Sequence, residues 1–388
     1  MKKCVTTGMS RSSIRSNARN HMRNNIRRAK IPILLFVLMF CILFFGCGCS
    51  NFVDVSSGAL SFRKADESEL SVVSWNLQTF FDAADSGTEY EDFIGKKSKW
   101  TEEKYKARLE KLCTFMKAVN ADIFCFMEVE NAAVVQDIAN TLQVGVSGMK
   151  WPYVCFARES GSSLGCAVFS RYEPQLLTVH SIDYKAAVQL GAFCGFSAGD
   201  ELTQPSMRPL MEVRFSFAPV RFGAQNSNSN MGNGGNGKLA LFVAHWKSKS
   251  GGAKESEVWR NCQEAVLAKR IERALADGYN VVACGDFNRE LSEFMYSRME
   301  GCVDLRGSFE NVTVRSPWFA STANGSYCFQ NVWNRIDHFF FAGDTECTFF
   351  SVYEEEGFVT AGGLPNSYDV WTGEGYSDHL PLVCRVRL

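Results

Sequence analysis

Six short stretches of this sequence bring an apolar run up against a residue that can handle a metal, a proton or a phosphoryl oxygen. "VVSWN" ends on Asn76, and "IFCFMEVE" carries Glu128. "LFVAHWKS" ends its run on His245, and "VVACGDFN" on Asp286 and Asn288. "NRIDHFFF" carries Asp337, and "GYSDHLPL" supplies Asp378 and His379. Taking such groups out of water is costly unless they find partners. Singly, each has a plain structural reading: Asp286 after Gly285 suits a turn, and Glu128 suits a cap. Repeated along one chain, the pattern points to chemistry. Carboxylate and amide oxygens without thiolates suit a hard cation such as Mg²⁺, Mn²⁺ or Ca²⁺. An Asp beside a His orients the ring and sets its proton. A metal, a water-activating pair and amide or imidazole donors together make a phosphoryl-transfer site.

Elements must position these groups. "LSVVSW", "ADIFCFM", "GCAVFS", "KLALFVAH", "NVVACGD", "IDHFFF" and "LVCRVRL" read as strands. "TEEKYKARLEKLCTFMKAV" reads as a helix capped by Thr101, with Glu102 and Glu103 in its first turn. Its apolar stripe is Tyr105, Leu109, Leu112, Met116 and Val119. A second helix is expected over 255–276, with Val258, Cys262, Ala265, Ala268 and Leu275 inward and Gly278 as the stop. In layered α/β folds the strand ends converge on one rim, where the polar residues can meet. The low-complexity stretch 224–238 cannot bury enough surface to order itself and is expected as a loop between two strands of one domain.

The ordered set "SWN", "MEVE", "AHWKS", "GDFN", "RIDH" and "SDHLPL" resembles the endonuclease/exonuclease/phosphatase superfamily, from about Leu70 to Leu388. That superfamily includes pancreatic deoxyribonuclease, apurinic endonucleases, neutral sphingomyelinases and inositol-polyphosphate phosphatases. The resemblance implies a four-layer α/β sandwich, two mixed β-sheets face to face with helices outside. It implies Asn76, Glu128 and Asp378 as metal ligands, and Asp337 with His379 as an Asp-His dyad. It implies that Asp286 orients or deprotonates the attacking water and Asn288 donates to phosphoryl oxygens. His245 and Arg208 correspond to phosphate-contacting positions. Asp286 and the dyad are treated as one catalytic unit. Met127 stands where the family has a glutamine, and no second glutamate is found to pair with His245. His180 and His338 are expected to be structural, and Trp333–Arg335 a strand lead-in.

The implied function is metal-dependent hydrolysis of a phosphate ester, first of all by a bacterial exported nuclease-like member acting on nucleic acid. A sphingomyelinase, phospholipase-C-like enzyme or inositol-phosphate phosphatase is the alternative, and a non-catalytic surface binding protein a third. Residues 1–30 hold nine Lys or Arg and no acid, so the rest of the chain has 32 basic against 42 acidic residues. That acidic body is poorly suited to duplex binding, although Arg208, Lys247, Lys249 and Lys254 form a local basic patch.

The basic head is followed by the uncharged "IPILLFVLMFCILFF" and then "GCGCS". This is the pattern of an export signal, too short for an ordinary membrane span. Residues 1–49 are therefore read as a signal or lipid anchor with Cys47 or Cys49 as the lipidation site. Residues 50–69 read as a linker and 70–388 as one catalytic domain. Lipoprotein, uncleaved anchor and cleaved periplasmic or extracellular protein remain open; a monomer is expected. His21 lies within the leader. No C-x-x-C pair occurs beyond Cys49, so the 11 cysteines there are expected as small buried hydrophobes.

Overall fold

The computed structural model describes residues 69–144, 150–183, 203–217, 237–307 and 310–388. The expected leader, most of the linker and nearly all of the 224–238 insert lie outside the described residues. Sheet one has six strands, in the order β15 (Glu346–Val352), β16 (Leu382–Arg387), β1 (Leu70–Phe80), β2 (Ile123–Val129), β4 (Gly165–Ser170) and β3 (Tyr153–Ala157). Sheet two has eight, in the order β5 (Leu176–His180), β6 (Leu210–Ser216), β7 (Lys238–His245), β8 (Asn280–Asp286), β14 (Asp337–Ala342), β11 (Val312–Arg315), β10 (Cys302–Leu305) and β9 (Met295–Tyr296). A separate hairpin pairs β12 (Tyr327–Phe329) with β13 (Val332–Asn334).

Both sheets are mixed. β1 runs parallel to β2 and β7 parallel to β8, while β16, β4 and β14 add antiparallel neighbours. A parallel pair needs a long crossover. Helix α2 (Glu102–Val119), preceded by the single turn α1 (Glu91–Ile94), lies in the first crossover, and α4 (Ala253–Ala276) in the second. Helix α3 (Ala132–Gln143) follows β2. Helices outside two facing sheets give the four-layer sandwich expected from the sequence. Strands β4, β8 and β14 are buried along their whole length, as strands covered on both faces must be.

Local chemistry accounts for α2. The Thr101 side chain accepts from Lys104 N, and Asn120 ends the helix in the left-handed region at φ 54°. The expected stripe is buried, and Phe115 reaches from α2 to the Trp75 ring at 4.9 Å. Helix α4 departs from expectation. It begins at Ala253, and Val258 and Leu275 are only half-buried, while Arg260, Gln263 and Glu264 are buried. The cause is a buried polar network: Glu264 binds Arg289 and accepts from the Arg306 backbone at 2.8 Å. Apolar periodicity does not register a charged residue whose partner is elsewhere in the chain.

Phe217 N donates to Gly237 O at 2.7 Å, and β6 pairs antiparallel with β7, so the chain around the insert stays within one sheet. Eight of the ten described cysteines are buried and all ten are free thiols. Among the described residues no helix is long and apolar enough to cross a membrane.

His180 has a structural partner in Glu212, 2.6 Å from its Nε2, and Arg214 flanks the same carboxylate. Burial alone would raise the Glu212 carboxyl, but His180 and Arg214 hold it below its ordinary 4.5. Stability from a depressed carboxyl is fully present above its unfolded value and is lost as pH falls through the lower folded value. Glu212→Gln is therefore expected to melt below the wild type at pH 7, with the gap closing below about pH 4. Melting curves across that range check it; a gap independent of pH rules out the carboxylate as the source.

Candidate active site

Strand register lines up three of the expected residues. His245 on β7 is paired with Asp286 on β8, and Asp286 with Asp337 on β14. Gly285 makes the row possible: its φ is +137°, and a Cβ there would lie 1.8 Å from Ala244 O. Asp286 ends the strand within a net of donors. Its Oδ1 accepts from Asn288 N at 2.8 Å; its Oδ2 accepts from Asn288 Nδ2 at 3.1 Å and Asn76 Nδ2 at 3.0 Å. Burial is the main force on this carboxyl and pushes it up to about 7, which leaves it able to take a proton near neutral pH.

Sheet one contributes the facing half. The β1–β2 register breaks between Asn76 and Phe80, and the β2–β4 register between Met127 and Val129. In these bends Gln78, Thr79 and Glu128 take φ values of 53°, 53° and 62°. Left-handed non-glycine residues cost of order 1–3 kcal/mol each and persist only where surroundings hold them. The bends aim polar groups inward: Thr79 N donates to Glu128 Oε2 at 2.6 Å, and Asn76 Nδ2 to Glu128 Oε1 at 3.3 Å. Asn76 Oδ1 accepts from Gln78 N at 3.0 Å, so Asn76 bridges Glu128 and Asp286 as a donor in this arrangement. Met127 is fully buried in the core. Asp378 is held by its backbone, which donates to Gln78 Oε1 at 2.9 Å.

His379 sits between the halves. Its Nδ1 is 2.8 Å from Asp337 Oδ2, which also accepts from Ser326 Oγ at 2.6 Å. Its Nε2 is 4.0 Å from both Asp286 Oδ2 and Asp378 Oδ1. The Tyr327 ring stacks on it at 4.6 Å. Burial alone would lower the imidazole, yet Asp337, Asp378 and Asp286 raise it well above its ordinary value. His379 is therefore the cation of the pair at neutral pH.

His245 is buried behind the carboxylates, with Nε2 3.6 Å from Glu128 Oε1 and 3.7 Å from Asp286 Oδ2. Its Nδ1 has no hydrogen-bond partner, in keeping with the missing second glutamate. Burial, then Arg208, His379 and Lys247, lower it far below its ordinary value, so the ring is neutral. Arg208 is half-buried, and its charge opposes the rise that burial imposes on the Tyr90 hydroxyl. Burial and then Arg208 depress Lys247, so these two cations of the expected patch feel each other. Lys249 instead pairs with Glu293 at 2.6 Å, and Lys254 is exposed on the first turn of α4. His338 donates through Nε2 to Arg289 O at 2.8 Å and packs on Phe340, a structural placement. Because the acceptor is a carbonyl, Nε2 carries the proton there.

Sequence reading passed over Gln78, Ser326 and Tyr327. Gln78 stands two residues beyond Asn76 on the same strand, a polar signal that was available. Ser326 and Tyr327 enter through the β12–β13 hairpin, which has no apolar strand pattern.

Two donor sets can be tested against a divalent metal. Asp286, Asp337 and His379 have ligand atoms within 4.8 Å of one another. Asp337 Oδ2 is engaged by His379 and Ser326 and Asp286 by three amide donors, while the buried Asp337 Oδ1 has no hydrogen-bond partner. Glu128 and Asp378 are a second set of carboxylate oxygens at the same rim. Burial and then the Asp378 charge raise the Glu128 carboxyl, while Arg208, the Thr79 amide and His379 act to lower it. Oxygen donors of this kind suit a hard cation.

Residues 73–379 match the family described as Endonuclease/Exonuclease/phosphatase family, and the chain belongs to that family. It is accordingly a divalent-metal-dependent hydrolase of phosphate esters. No curated protein matches the sequence. Among solved structures, TDP2 from C. elegans is 15% identical, covers 82% of this chain and 75% of its own, and gives a TM-score of 0.49. The human Nocturnin catalytic domain with bound sulfate is 13% identical, with 84% and 95% covered and a TM-score of 0.48. An endonuclease/exonuclease/phosphatase family protein from Bacteroides thetaiotaomicron is 14% identical, with 82% and 94% covered and a TM-score of 0.47.

The 2.8 Å contact between His379 and Asp337 yields a prediction. With bis-p-nitrophenyl phosphate as substrate, His379→Ala is expected to lose about 10²- to 10⁴-fold in turnover. Asp337→Asn should lose a similar amount and the double variant little more, because the two act as a unit. Melting temperatures measured alongside separate this from unfolding. A folded His379→Ala protein with near-normal turnover overturns it.

Proposed function

We propose that the chain is a phosphodiesterase acting on nucleic acid, with Glu128 and Asp378 holding a divalent metal, Mg²⁺ or Mn²⁺, and Asn76 beside them. The observation that carries this reading is the meeting of both sheets' polar strand ends at one rim, with Asn76 bonded to Glu128 and Asp286 together. When bound, the metal supplies Lewis-acid polarisation of a phosphoryl oxygen. The residues do the rest. Asp286, fixed by Asn288 and Asn76, takes a proton from the attacking water as its oxygen bonds to phosphorus. The bond from phosphorus to the leaving oxygen breaks, and His379, oriented by Asp337, presents Nε2–H to the phosphoryl group. The Asn288 amide, His245 and Arg208 complete the donors around the phosphate, and water supplies the final proton to the leaving oxygen.

Arg208 and Lys247 at the rim favour a substrate with repeated phosphates. A second reading, a phospholipid headgroup diester, is favoured by Phe329 and Val332, 57% and 62% exposed at the tip of the hairpin whose other end covers His379. Turnover of plasmid DNA, RNA, sphingomyelin and inositol phosphates under one metal condition decides between them. The full complement of site residues speaks against a purely non-catalytic binding role.

Glu128→Gln keeps size and removes one charge. Activity should fall by about 10²-fold, and raised Mn²⁺ should restore part of it, since weakened binding is a mass-action loss. Unchanged activity at low metal removes Glu128 from the metal seat.

The basic head and the apolar run after it support export, with lipidation at Cys47 or Cys49 and tethering at a membrane. The mature protein should then enter the detergent phase and carry a labelled acyl chain, two or more chains being needed for stable anchoring. Unlabelled protein in the aqueous phase points to simple cleavage instead.

A further inference from the structure

Three cations on α2 bind the loops that carry the site. Lys104, Arg108 and Lys111 are spaced four and three apart and so share a face. Lys104 Nζ donates to Lys99 O at 2.7 Å, Val370 O at 2.9 Å and Trp371 O at 2.7 Å. Lys111 Nζ reaches Gly373 O at 3.3 Å and Gly375 O at 3.4 Å. Arg108 Nη2 donates to Leu77 O at 2.6 Å and Gln78 O at 2.7 Å, and Nη1 to Thr79 O at 3.1 Å. Every one of these acceptors is a backbone carbonyl rather than a carboxylate.

Arg108 is the informative member. It is 3% exposed, and a sequestered cation is costly without strong partners. Its partners are three consecutive carbonyls, turned toward it because Gln78 and Thr79 are left-handed. A planar guanidinium can serve three such acceptors at once, and an ammonium on a flexible stem cannot match that geometry. The rings of Tyr368 and Phe80 lie 3.8 and 4.8 Å from its carbon and hold the plane in place. The segment so gripped contacts both metal-seat carboxylate residues: Thr79 N holds Glu128 Oε2 at 2.6 Å, and Gln78 Oε1 accepts from Asp378 N at 2.9 Å. Gln78 Oε1 also accepts from Tyr368 N at 2.8 Å, which links the second loop to the same point.

We propose that Arg108 is a positioning residue for the metal seat: it locks residues 77–79 in the left-handed turn that sets the spacing of Glu128 and Asp378. This rests on the reading of Glu128 and Asp378 as the seat. An apolar side chain of similar length would fill the slot but leave the buried Leu77 carbonyl without this donor, while Gln78 O keeps only the Thr79 hydroxyl at 2.7 Å and Thr79 O the Phe81 amide at 2.9 Å.

Mn²⁺ alone is the probe, with free Mn²⁺ followed by electron paramagnetic resonance as it is titrated into the full chain. Arg108→Met should weaken Mn²⁺ binding by about 10- to 100-fold, the usual effect of losing a group that orients a ligand. Arg108→Lys, which keeps the charge but not the fork, should weaken it less and should speed hydrogen exchange at the Thr79 amide. Leu109→Ala, a core truncation on the same helix, should lower the melting temperature and leave Mn²⁺ affinity alone. If Arg108→Met does not fold, Arg108→Lys decides. Wild-type affinity and wild-type Thr79 exchange in a folded Arg108 variant overturn the proposal. Failure of the wild type itself to bind Mn²⁺, or of Glu128→Gln to weaken binding, overturns the metal seat and the proposal with it.

Discussion

Four carboxylates, those of Glu128, Asp286, Asp337 and Asp378, meet at one rim between the two sheets. Their mutual repulsion and their removal from water are the constraint that the surrounding structure answers. Asp337 is answered by the His379 imidazole and the Ser326 hydroxyl. Asp286 is answered by amide donors from Asn76 and Asn288. Glu128 has the Thr79 amide and one Asn76 contact, and Asp378 is held through its backbone, with His379 Nε2 4.0 Å from its Oδ1. Asp378 has the fewest donors of the four, and its charge raises the Glu128 carboxyl.

Backbone conformation carries that answer into the fold. Left-handed residues are rare away from glycine, yet Gln78, Thr79, Glu128 and Asn288 all adopt that region around this rim. Each lies at or just beyond the end of a buried strand. The strands hold the ends rigidly, and the bends re-aim side chains that regular pleating would send elsewhere. Gly285 serves the same purpose differently, by letting β7 and β8 approach where a side chain would collide with Ala244.

Much of the frame was legible from apolar runs alone. The strands at "GCAVFS", "KLALFVAH" and "NVVACGD" lie where their composition puts them, because strands covered on both faces read as continuous hydrophobic runs. The helix from Glu102 announced its cap and its stripe. The short strands β9, β11, β12 and β13 did not show, since few of their residues are buried and pairing with a neighbour is what makes them strands. Helix α4 misled for the opposite reason: its buried Glu264 looks solvent-facing until Arg289 and Arg306 are known to lie against it, and its buried Arg260 until the Lys247 carbonyl is.

The candidate site divides along the same line. By itself the sequence determined the residue types, their order, and their position at the ends of apolar runs, because those are local properties of the chain. It also determined the family, since the ordered motifs are themselves sequence. Only the tertiary structure decided which atoms meet. The His379–Asp337 pairing spans 42 residues, the Asn76–Asp286 bond 210, and the Trp75–His379 bond 304. Such contacts are set by strand register and sheet packing, which no local pattern encodes. The same holds for Arg108: in the sequence it is one more cation on a charged helix, and only the left-handed turn at 77–79 shows why it is buried.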